Sequence, residues 1–315
     1  MILKKKEGEP LKFFAPDYYC DFKCIAGDCR HSCCIGWEID IDSDTAEYYQ
    51  DFPGEFGERL RINIDFGEAV SSFRLCENER CPFLNKKGLC DIILTAGEES
   101  LCQICDDHPR FRNFFSERTE IGLGLCCEAA AKLILERKSK TKLAEIDSDG
   151  EDLPLSEEEK EFLAIRKRVF EIIQNRDITI EERIEKMLGL CKAKLPQKSF
   201  AEWAGVFEEL ERLDEEWTET LAKIKTGGGT LVLDPVPAEQ LLWYFVFRHL
   251  SGAVDDGRLA ERAAFAVLSF RMVEKAAEYK GILEAARLYS SEIEYSDENI
   301  EALLDIISAE NEVQI

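Results

Sequence analysis

Histidine is scarce in this sequence, which has 315 residues and three histidines. An enzyme with a cysteine nucleophile needs a base beside the thiol, and that base is often a histidine. Because histidine is rare and no spacing singles out one reactive thiol, the sequence does not favour catalysis by a cysteine nucleophile.

Basic residues are outnumbered, with 40 lysines and arginines against 64 aspartates and glutamates and a formal net charge of −24. Nucleic-acid binding depends on clustered positive charge that neutralises phosphates. The charge balance therefore disfavours a nucleic-acid partner. It is compatible with a basic or lysine-presenting protein partner.

Long apolar runs are missing as well. The longest, LLWYFVF at residues 241–247, is far shorter than the roughly 18 residues that a membrane span needs. It is typical of a buried helix, and we expect no membrane association. No apolar segment follows the lysines at positions 4–6, so we expect no secretory signal and a cytoplasmic location.

Cysteine is the residue in excess. Twelve of the thirteen cysteines lie between Cys20 and Cys127, and Cys191 stands apart. Disulfides, a redox dithiol and a thiolate metal site are the three chemistries that use dense cysteine. Disulfides rarely persist in a reducing cytosol, and cysteines used as small core residues would be spread evenly. The pattern therefore favours metal binding.

The spacing of the cysteines leaves two kinds of metal centre open. Turn residues such as Gly27 and Gly88 let the backbone wrap an ion or a cluster, and four thiolates suit tetrahedral zinc or an iron–sulfur cluster. Zinc sites usually show two clean ligand pairs, whereas here one CxxC pair accompanies an irregular set. That irregularity favours a cluster. The adjacent Cys33 and Cys34 can hardly both bind one small ion.

The sequence gives less support to histidine ligands and to a cluster that cleaves S-adenosylmethionine to radicals. His31 and His108 lie near cysteines, but a lone histidine is more often a loop or surface residue than a ligand. The CxxxCxxC spacing of enzymes that cleave S-adenosylmethionine to radicals is not met, because Cys33 is followed directly by Cys34.

The chain divides into two halves of different character. Residues 1–137 are rich in cysteine and short turns, residues 138–158 are polar and form a predicted linker, and residues 159–315 have helical periodicity. The predicted fold is mainly α, with an irregular α+β cysteine-rich N-terminal half and an all-helical C-terminal half. Residues 37–42 and 60–64 are candidate short strands.

Capping signals and apolar spacing place the helices of the second half. Ser156 with Glu159 predicts one start, and Ser199 with Glu202 predicts another. The second of these helices is expected to be continuous through Ile224 until the glycines at 227–229 stop it. Further helices are expected at residues 180–191, 238–250, 257–279, 282–290 and 297–309.

Five motifs follow one another in the first half of the chain: CxxxxCxxxCCxGW, CPFL, GLC, CxxC followed by Pro-Arg, and LC followed by an acidic residue and alanines. This order resembles that of the flagellin lysine-N-methylase family. It is also similar to CxxCxxCC-type zinc- or iron-chelating domains. The resemblance covers about residues 15–133. The matching positions are Pro16, Asp17, Tyr18, Cys24, Cys29, Cys33, Cys34, Gly36, Trp37, Cys81, Pro82, Phe83, Leu84, Gly88, Cys90, Cys102, Cys105, Pro109, Arg110, Cys126, Glu128 and Ala129.

The resemblance implies a cytosolic enzyme that transfers methyl groups from S-adenosylmethionine to lysines of flagellin or another lysine-bearing protein. It also implies a cysteine-bound iron–sulfur cluster, with zinc as the alternative metal. Cys20, Cys76 and Cys127 lie outside the pattern, and His108 stands where the family is expected to have an aromatic residue. The predicted metal ligands are Cys24, Cys29, Cys33, Cys34, Cys81, Cys90, Cys102, Cys105 and Cys126.

Methyl transfer to lysine requires a neutral amine, although free lysine has a pKa of about 10.4. A carboxylate or an aromatic wall near the cysteines can help. This makes Asp17 and Tyr18 candidate catalytic residues and Trp37 a candidate cofactor contact. The Gly-rich turn of nucleotide-type cofactor sites is not found, since Gly122 and Gly124 lack a third glycine.

Two alternatives remain beside the methyltransferase interpretation. One is a metal- or iron–sulfur-binding protein, an electron carrier or a structural protein, without transferase activity. The other is an interaction module whose acidic helical half docks a partner.

Overall fold

The computed structural model describes residues 12–67, 69–148, 154–227 and 232–313. These residues form two compact units. The cysteine unit consists of residues 23–110 and 127–129, and the helical unit consists of the remaining described residues.

Regular elements alternate with short turns in the first 148 residues, and helices follow from residue 157 onward. The strands are β1 (Lys12–Pro16), β2 (Asp40–Ile41), β3 (Ile64–Phe66), β4 (Ser71–Phe73), β5 (Arg110–Phe114), β6 (Arg118–Leu123) and β7 (Leu143–Ser148). The helices are α1 (Ser43–Asp51), α2 (Gly54–Asn63), α3 (Asp91–Ala96), α4 (Gln103–Asp107), α5 (Glu128–Leu135), α6 (Glu157–Ile173), α7 (Ile180–Leu190), α8 (Phe200–Glu208), α9 (Glu215–Thr226), α10 (Pro235–His249), α11 (Ala253–Asp256), α12 (Leu259–Lys280), α13 (Ile282–Ile293) and α14 (Asp297–Val313).

The predicted fold class is confirmed. The first half contains the strands, and the C-terminal half is helical from residue 157 onward in the part of the chain that is described. None of the helices in the described ranges combines the length and the apolar character that a membrane span needs.

A four-stranded sheet, ordered β5-β6-β1-β7, belongs to the helical unit. Strand β1 lies parallel to β6, with Phe13 opposite Thr119, and antiparallel to β7, with Ala15 opposite Ala144. Backbone pairing therefore ties the N-terminal strand to residues that come more than 100 positions later.

This pairing divides the chain differently from the predicted domains 1–137 and 159–315. Residues 12–22 and 111–126 join the helices because β1 and β6 pair there. The predicted linker 138–158 contains β7, which pairs with β1, and its residues 149–153 lie outside the described ranges.

The capping predictions of the helical half are confirmed. Ser156 and Ser199 each accept a hydrogen bond from the backbone N–H three residues on, and the matching Glu159 and Glu202 complete both capping boxes. The apolar run at residues 241–247 is fully buried in α10. Its predicted burial is confirmed.

The predicted continuous helix after Ser199 is wrong, because the structure breaks it between Glu208 and Glu215. At the break, the Glu292 carboxylate accepts hydrogen bonds from the N–H groups of Leu213 and Asp214, both at 2.9 Å. Asp214 then caps α9. Leu213 fits the apolar spacing of a continuous helix but is 69% exposed. The apolar spacing therefore did not indicate the break.

The local predictions for the first half were less accurate. Residues 60–63 lie in α2, and only Ile64 starts a strand, so the predicted strand at 60–64 is wrong. Of residues 37–42, only Asp40 and Ile41 form a strand. Helices α1 to α4 are too short to show a clear helical period in sequence.

The cysteine unit has its own small core. A three-stranded antiparallel sheet, ordered β2-β4-β3, contributes Ile41, Ile64 and Phe73 to it. The Phe83 ring packs 5.3 Å from the Phe73 ring, and the Arg59 guanidinium lies 5.1 Å from the centre of the Phe83 ring. This core carries the loops on which most of the cysteines lie.

A buried ion pair in the helical unit yields a stability prediction. Arg166 donates to Glu120 at 2.6 Å, and both side chains are almost fully buried. Replacing Arg166 with leucine leaves a buried carboxylate whose remaining cationic partner, among the residues that the structure describes, is Arg118. We expect Arg166→Leu to lower the free energy of unfolding by about 3 kcal/mol.

Denaturant unfolding followed by tryptophan fluorescence measures this loss, since Trp203, Trp217 and Trp243 are buried in the helical unit. Burial raises the pKa of Glu120, but Arg166 and Arg118 hold it below its ordinary value. The stabilisation is thus present above about pH 4.3 and is lost as the pH falls through the folded pKa. The control Arg168→Leu, exposed on the same helix, should change stability by less than about 0.5 kcal/mol. Equal effects of the two substitutions would contradict the assignment.

Candidate metal centre

The cysteine unit contains all the cysteines except Cys20, Cys126 and Cys191. All thirteen lie in described residues, and none forms a disulfide. The predicted thiol-rich half therefore has its cysteines available for other chemistry.

Five cysteines lie around the core of the cysteine unit, and we call them the inner set. Two are buried in this core and three pack against it while partly exposed. Cys34 raises the pKa of three other members, Cys81, Cys90 and Cys105. Cys105 in turn lowers the pKa of Cys102 through a hydrogen bond. The members are Cys34, Cys81, Cys90, Cys102 and Cys105.

Backbone hydrogen bonds bring these distant segments together. The Cys81 N–H donates to the Cys34 carbonyl at 2.9 Å, and the Cys105 N–H donates to the Cys102 carbonyl at 3.0 Å. Cys90 lies across a β-bridge from Leu84. The chain therefore folds three separate cysteine motifs onto one core.

Arg59 fixes the loop between Cys81 and Cys90. Its guanidinium donates to the Pro82 carbonyl and to the Asp91 carboxylate, both at 2.8 Å. Gly88 has a φ of +72°, the left-handed conformation that favours glycine. A Cβ on Gly88 would lie 3.0 Å from the Gly27 Cα. The two glycines thus let this loop approach the loop that carries Cys24 and Cys29.

Thiol–thiol hydrogen bonds create two pairs with opposite pKa shifts. The Cys33 thiol hydrogen-bonds to Cys34 and lowers the pKa of Cys34 to about 7, against the opposing effect of burial. The hydrogen bond from Cys105 likewise lowers the pKa of Cys102, while the pKa of Cys105 is raised. Cys34 and Cys102 are therefore deprotonated more readily than an ordinary cysteine, as metal ligands must be.

Burial keeps other thiols of the inner set neutral by raising their pKa. Burial raises the pKa of Cys81 to about 12, with Cys34, Cys90 and Cys102 adding repulsion. Burial also raises the pKa of Cys90. Without a cation among them, these thiols cannot all ionise, since each negative charge disfavours the next.

The inner set fits a thiolate metal centre by its number of donors and by their chemistry. In the described residues, no three histidine, cysteine, aspartate or glutamate side chains already form a group that could hold a metal ion. A bound cation would have to draw the thiols inward, and it would stabilise the thiolate forms against burial and against the repulsion between neighbouring sulfurs.

The other predicted ligands lie outside the inner set. Cys24, Cys29 and Cys33 are on the loop before Trp37, and Cys126 belongs to the helical unit, where it is hydrogen-bonded with Tyr295. Cys127, which was not among the predicted ligands, belongs to the cysteine unit. Sequence spacing could not separate the two neighbours Cys126 and Cys127.

The aromatic and histidine candidates have specific contacts. The Trp37 indole N–H donates to the Cys33 carbonyl at 2.7 Å, and its ring lies 6.4 Å from that of His108. Burial lowers the pKa of His108 to about 4, so this imidazole is neutral at pH 7. His31 Nε2 lies 3.8 Å from the Glu128 carboxylate.

Asp17 and Tyr18, the predicted catalytic residues, lie in the helical unit. The Arg137 guanidinium donates to the Asp17 carboxylate at 2.6 Å, and the Lys142 N–H donates to it at 3.2 Å. Tyr18 is 1% exposed, and burial raises its pKa well above the ordinary value. Both residues thus have structural contacts that account for their positions.

An open groove of about 490 Å³ borders the CxxC turn of the cysteine unit. The Asp42 carboxylate caps α1 and accepts a hydrogen bond from the Gln103 N–H at 2.8 Å, which ties the turn to the groove wall. The lining residues are Asp40, Ile41, Asp42, Ser43, Ala69, Val70, Gln103, Ile104 and Asp107. Carboxylates and apolar side chains therefore face the same space, which sequence reasoning did not find.

Comparison with known proteins gives a distant similarity. The chain is 25% identical over 139 residues to the lysine-N-methylases of Salmonella choleraesuis (strain SC-B67) and Salmonella typhimurium (strain LT2), and the match covers 41% of this chain. It is 24% identical over 139 residues to the flagellar biosynthetic protein FliU of Salmonella muenchen, covering 80% of that protein. The chain spans about a third (34%) of the length of the two lysine-N-methylases.

No protein-family model matches the chain. No solved structure matches it either. The similarity is therefore to proteins of the lysine-N-methylase and FliU type, at low identity and over part of the chain.

The Cys33–Cys34 pair gives a reactivity prediction. In protein stripped of metal by a chelator, alkylation of Cys34 should have a midpoint near pH 7, because the Cys33 thiol stabilises its thiolate. In Cys33→Ala the midpoint should move up toward about 8.5, the ordinary value. Quantitative mass spectrometry of the labelled peptide measures both midpoints. The same midpoint in both proteins would show that this hydrogen bond does not tune Cys34.

Proposed function

We propose that this protein is an S-adenosylmethionine-dependent protein-lysine N-methyltransferase that acts on flagellin or another lysine-bearing protein. We further propose that the inner set holds a thiolate-ligated metal centre, an iron–sulfur cluster, with zinc as the alternative. The location proposed for this activity is the cytoplasm.

The observation that carries the transferase proposal is the similarity to two Salmonella lysine-N-methylases and to FliU. The motif order around Cys34, Cys81 and Cys102 resembles the same family and is part of that sequence similarity. The strongly acidic composition suits a protein acceptor that presents lysine.

The proposed reaction is a displacement at the sulfonium methyl of S-adenosylmethionine. The lysine nitrogen forms a bond to the methyl carbon, the carbon–sulfur bond breaks, and S-adenosylhomocysteine leaves. The amine loses one proton to a base or to water. No electrons are exchanged in this balance, so the role proposed for the metal centre is to organise the cysteine unit, as metal binding adds folding free energy.

We propose the groove beside the CxxC turn as the site of the acceptor lysine. Val70 and Ile104 are partly exposed apolar side chains that can pack on the aliphatic stem of lysine. Asp40 and Asp107 line the same groove and can hold the ammonium group before it loses its proton. Carboxylates of this kind also offer an acceptor for that proton.

Methyl transfer to flagellin would change the mass of flagellin. Flagellin of the source organism, co-expressed with this protein, should gain mass in whole methyl steps that map to lysine. Intact-mass and peptide mass spectrometry measure the gain, with flagellin expressed alone as the control. An unchanged mass, with this protein folded and loaded with metal, would favour the metal-binding protein without transferase activity.

The groove gives a separate prediction once transfer is measured. Asp40 is exposed at the groove, and Asp40→Asn removes a charge without burying a polar group. We expect KM for the acceptor to rise about tenfold, about 1.4 kcal/mol, with kcat little changed. Asp51→Asn, exposed on α1 and away from the groove lining, should leave KM unchanged. Equal KM values in both variants would place the acceptor elsewhere.

A further inference from the structure

The groove beside the CxxC turn has two walls that are tied together. One wall is formed by β2 and the residues before β4, and the other is formed by α4. One oxygen of the Asp42 carboxylate accepts a hydrogen bond from the Gln103 N–H at 2.8 Å, and the other accepts from the Thr45 N–H at 3.1 Å. Asp42 therefore holds α4 against the end of β2.

Strand alternation places an acidic and an apolar side chain on the same face of the first wall. In the antiparallel register, Ile41 lies opposite Ser71. The next step of this register places Val70 opposite Asp42. Because Ile41 is buried in the core, the residues on either side of it, Asp40 and Asp42, point the other way. Val70, which is 55% exposed, therefore lies two strand residues from Asp40 along the wall, or about 7 Å.

The second wall repeats this combination. Ile104 and Asp107 are three residues apart in α4, which places them on one face of the helix. Both line the groove, and Ile104 is 36% exposed. Ile104 follows Gln103, which Asp42 holds, and Asp107 lies one helical turn further on. On both walls, therefore, the apolar side chain is nearer to the Asp42–Gln103 hydrogen bond along the chain than the acidic side chain.

The groove has room for more than one lysine side chain. Its volume of about 490 Å³ is in the range of pockets that enclose a whole small-molecule ligand. In an extended peptide, side chains two positions apart point to the same side and are separated by about 7 Å. This spacing equals that of Asp40 and Val70 along the first wall. The groove thus matches two side chains of one extended segment.

We propose that the acceptor segment binds in extended form, with its lysine at Asp40 and Asp107 and an apolar residue, two positions away, on Val70 and Ile104. The apolar residue packs there beside the stem of the lysine. This inference rests on the proposed function, in which the groove is the site of the acceptor lysine. The preferred substrate is then a lysine with an apolar residue at the second position before or after it. Opposite charge selects the lysine, and burial of apolar surface selects its neighbour.

Binding of short peptides tests this preference without methyl transfer. Fluorescence anisotropy is measured on the full chain with two labelled peptides whose ends are blocked and which contain one lysine each. The first peptide has leucine at the second position on both sides of the lysine, and the second peptide has serine at both positions. We expect the leucine peptide to bind the wild type about tenfold more tightly, because leucine buries more apolar surface.

Two exposed apolar side chains offer matched variants. Val70→Ser changes the groove, whereas Ile62→Ser changes a residue of α2 that is 67% exposed and outside the groove lining. The preference for leucine should fall to about threefold in Val70→Ser, where Ile104 remains, and should stay about tenfold in Ile62→Ser. Asp40→Asn should weaken the binding of both peptides and keep the preference, because it changes the charge and not the apolar surface.

Equal affinity of the wild type for the two peptides, or no binding of either, would overturn the proposal. So would the same leucine preference in Val70→Ser as in the wild type. Methylation of co-expressed flagellin separates this inference from the proposed function. Transfer without a leucine preference would overturn the extended binding mode and leave the methyltransferase proposal standing. A leucine preference without transfer would support the binding mode and contradict the methyltransferase proposal.

Discussion

Burial of clustered thiols is the constraint on which the cysteine unit depends. The fold brings Cys34, Cys81, Cys90, Cys102 and Cys105 around one core, where burial and neighbouring sulfurs oppose ionisation of most of them. At Cys34 and Cys102, thiol–thiol hydrogen bonds outweigh burial and lower the pKa. A cation at the centre would stabilise the thiolate forms that burial disfavours. Metal binding would thereby add folding free energy to a unit of short helices and a three-stranded sheet.

The two units use different physical means of stabilisation. The helical unit is stabilised by buried aromatic side chains and by ion pairs such as Glu120–Arg166. Apolar periodicity and capping boxes in its sequence predict its helices. The cysteine unit relies on loops held by single side chains, such as Arg59 on the loop after Cys81 and Glu128 on the loop after Cys29. These long-range contacts position sulfur atoms and leave an acidic groove beside the CxxC turn.

Sequence reasoning was most accurate where local signals decide the structure. Ser156 and Ser199 each start a helix by accepting a hydrogen bond from the backbone N–H three residues on, so both starts were predictable. The break at Leu213 depends on Glu292, 79 positions away, and no local pattern reveals it. The cysteines were found as a group, but which five of them pack on the core of the cysteine unit depends on contacts between distant segments. The pairing of β1 with β6 and β7 likewise escaped prediction because it is non-local.

The central claim is that the inner cysteines ligate a metal. X-ray absorption spectroscopy at the metal edge, on full-length protein purified without exposure to oxygen, tests this most directly. We expect bound metal whose nearest neighbours are sulfur, with further metal neighbours at short distance if the centre is an iron–sulfur cluster. Folded protein that contains no metal, or a metal surrounded only by oxygen and nitrogen, would contradict it.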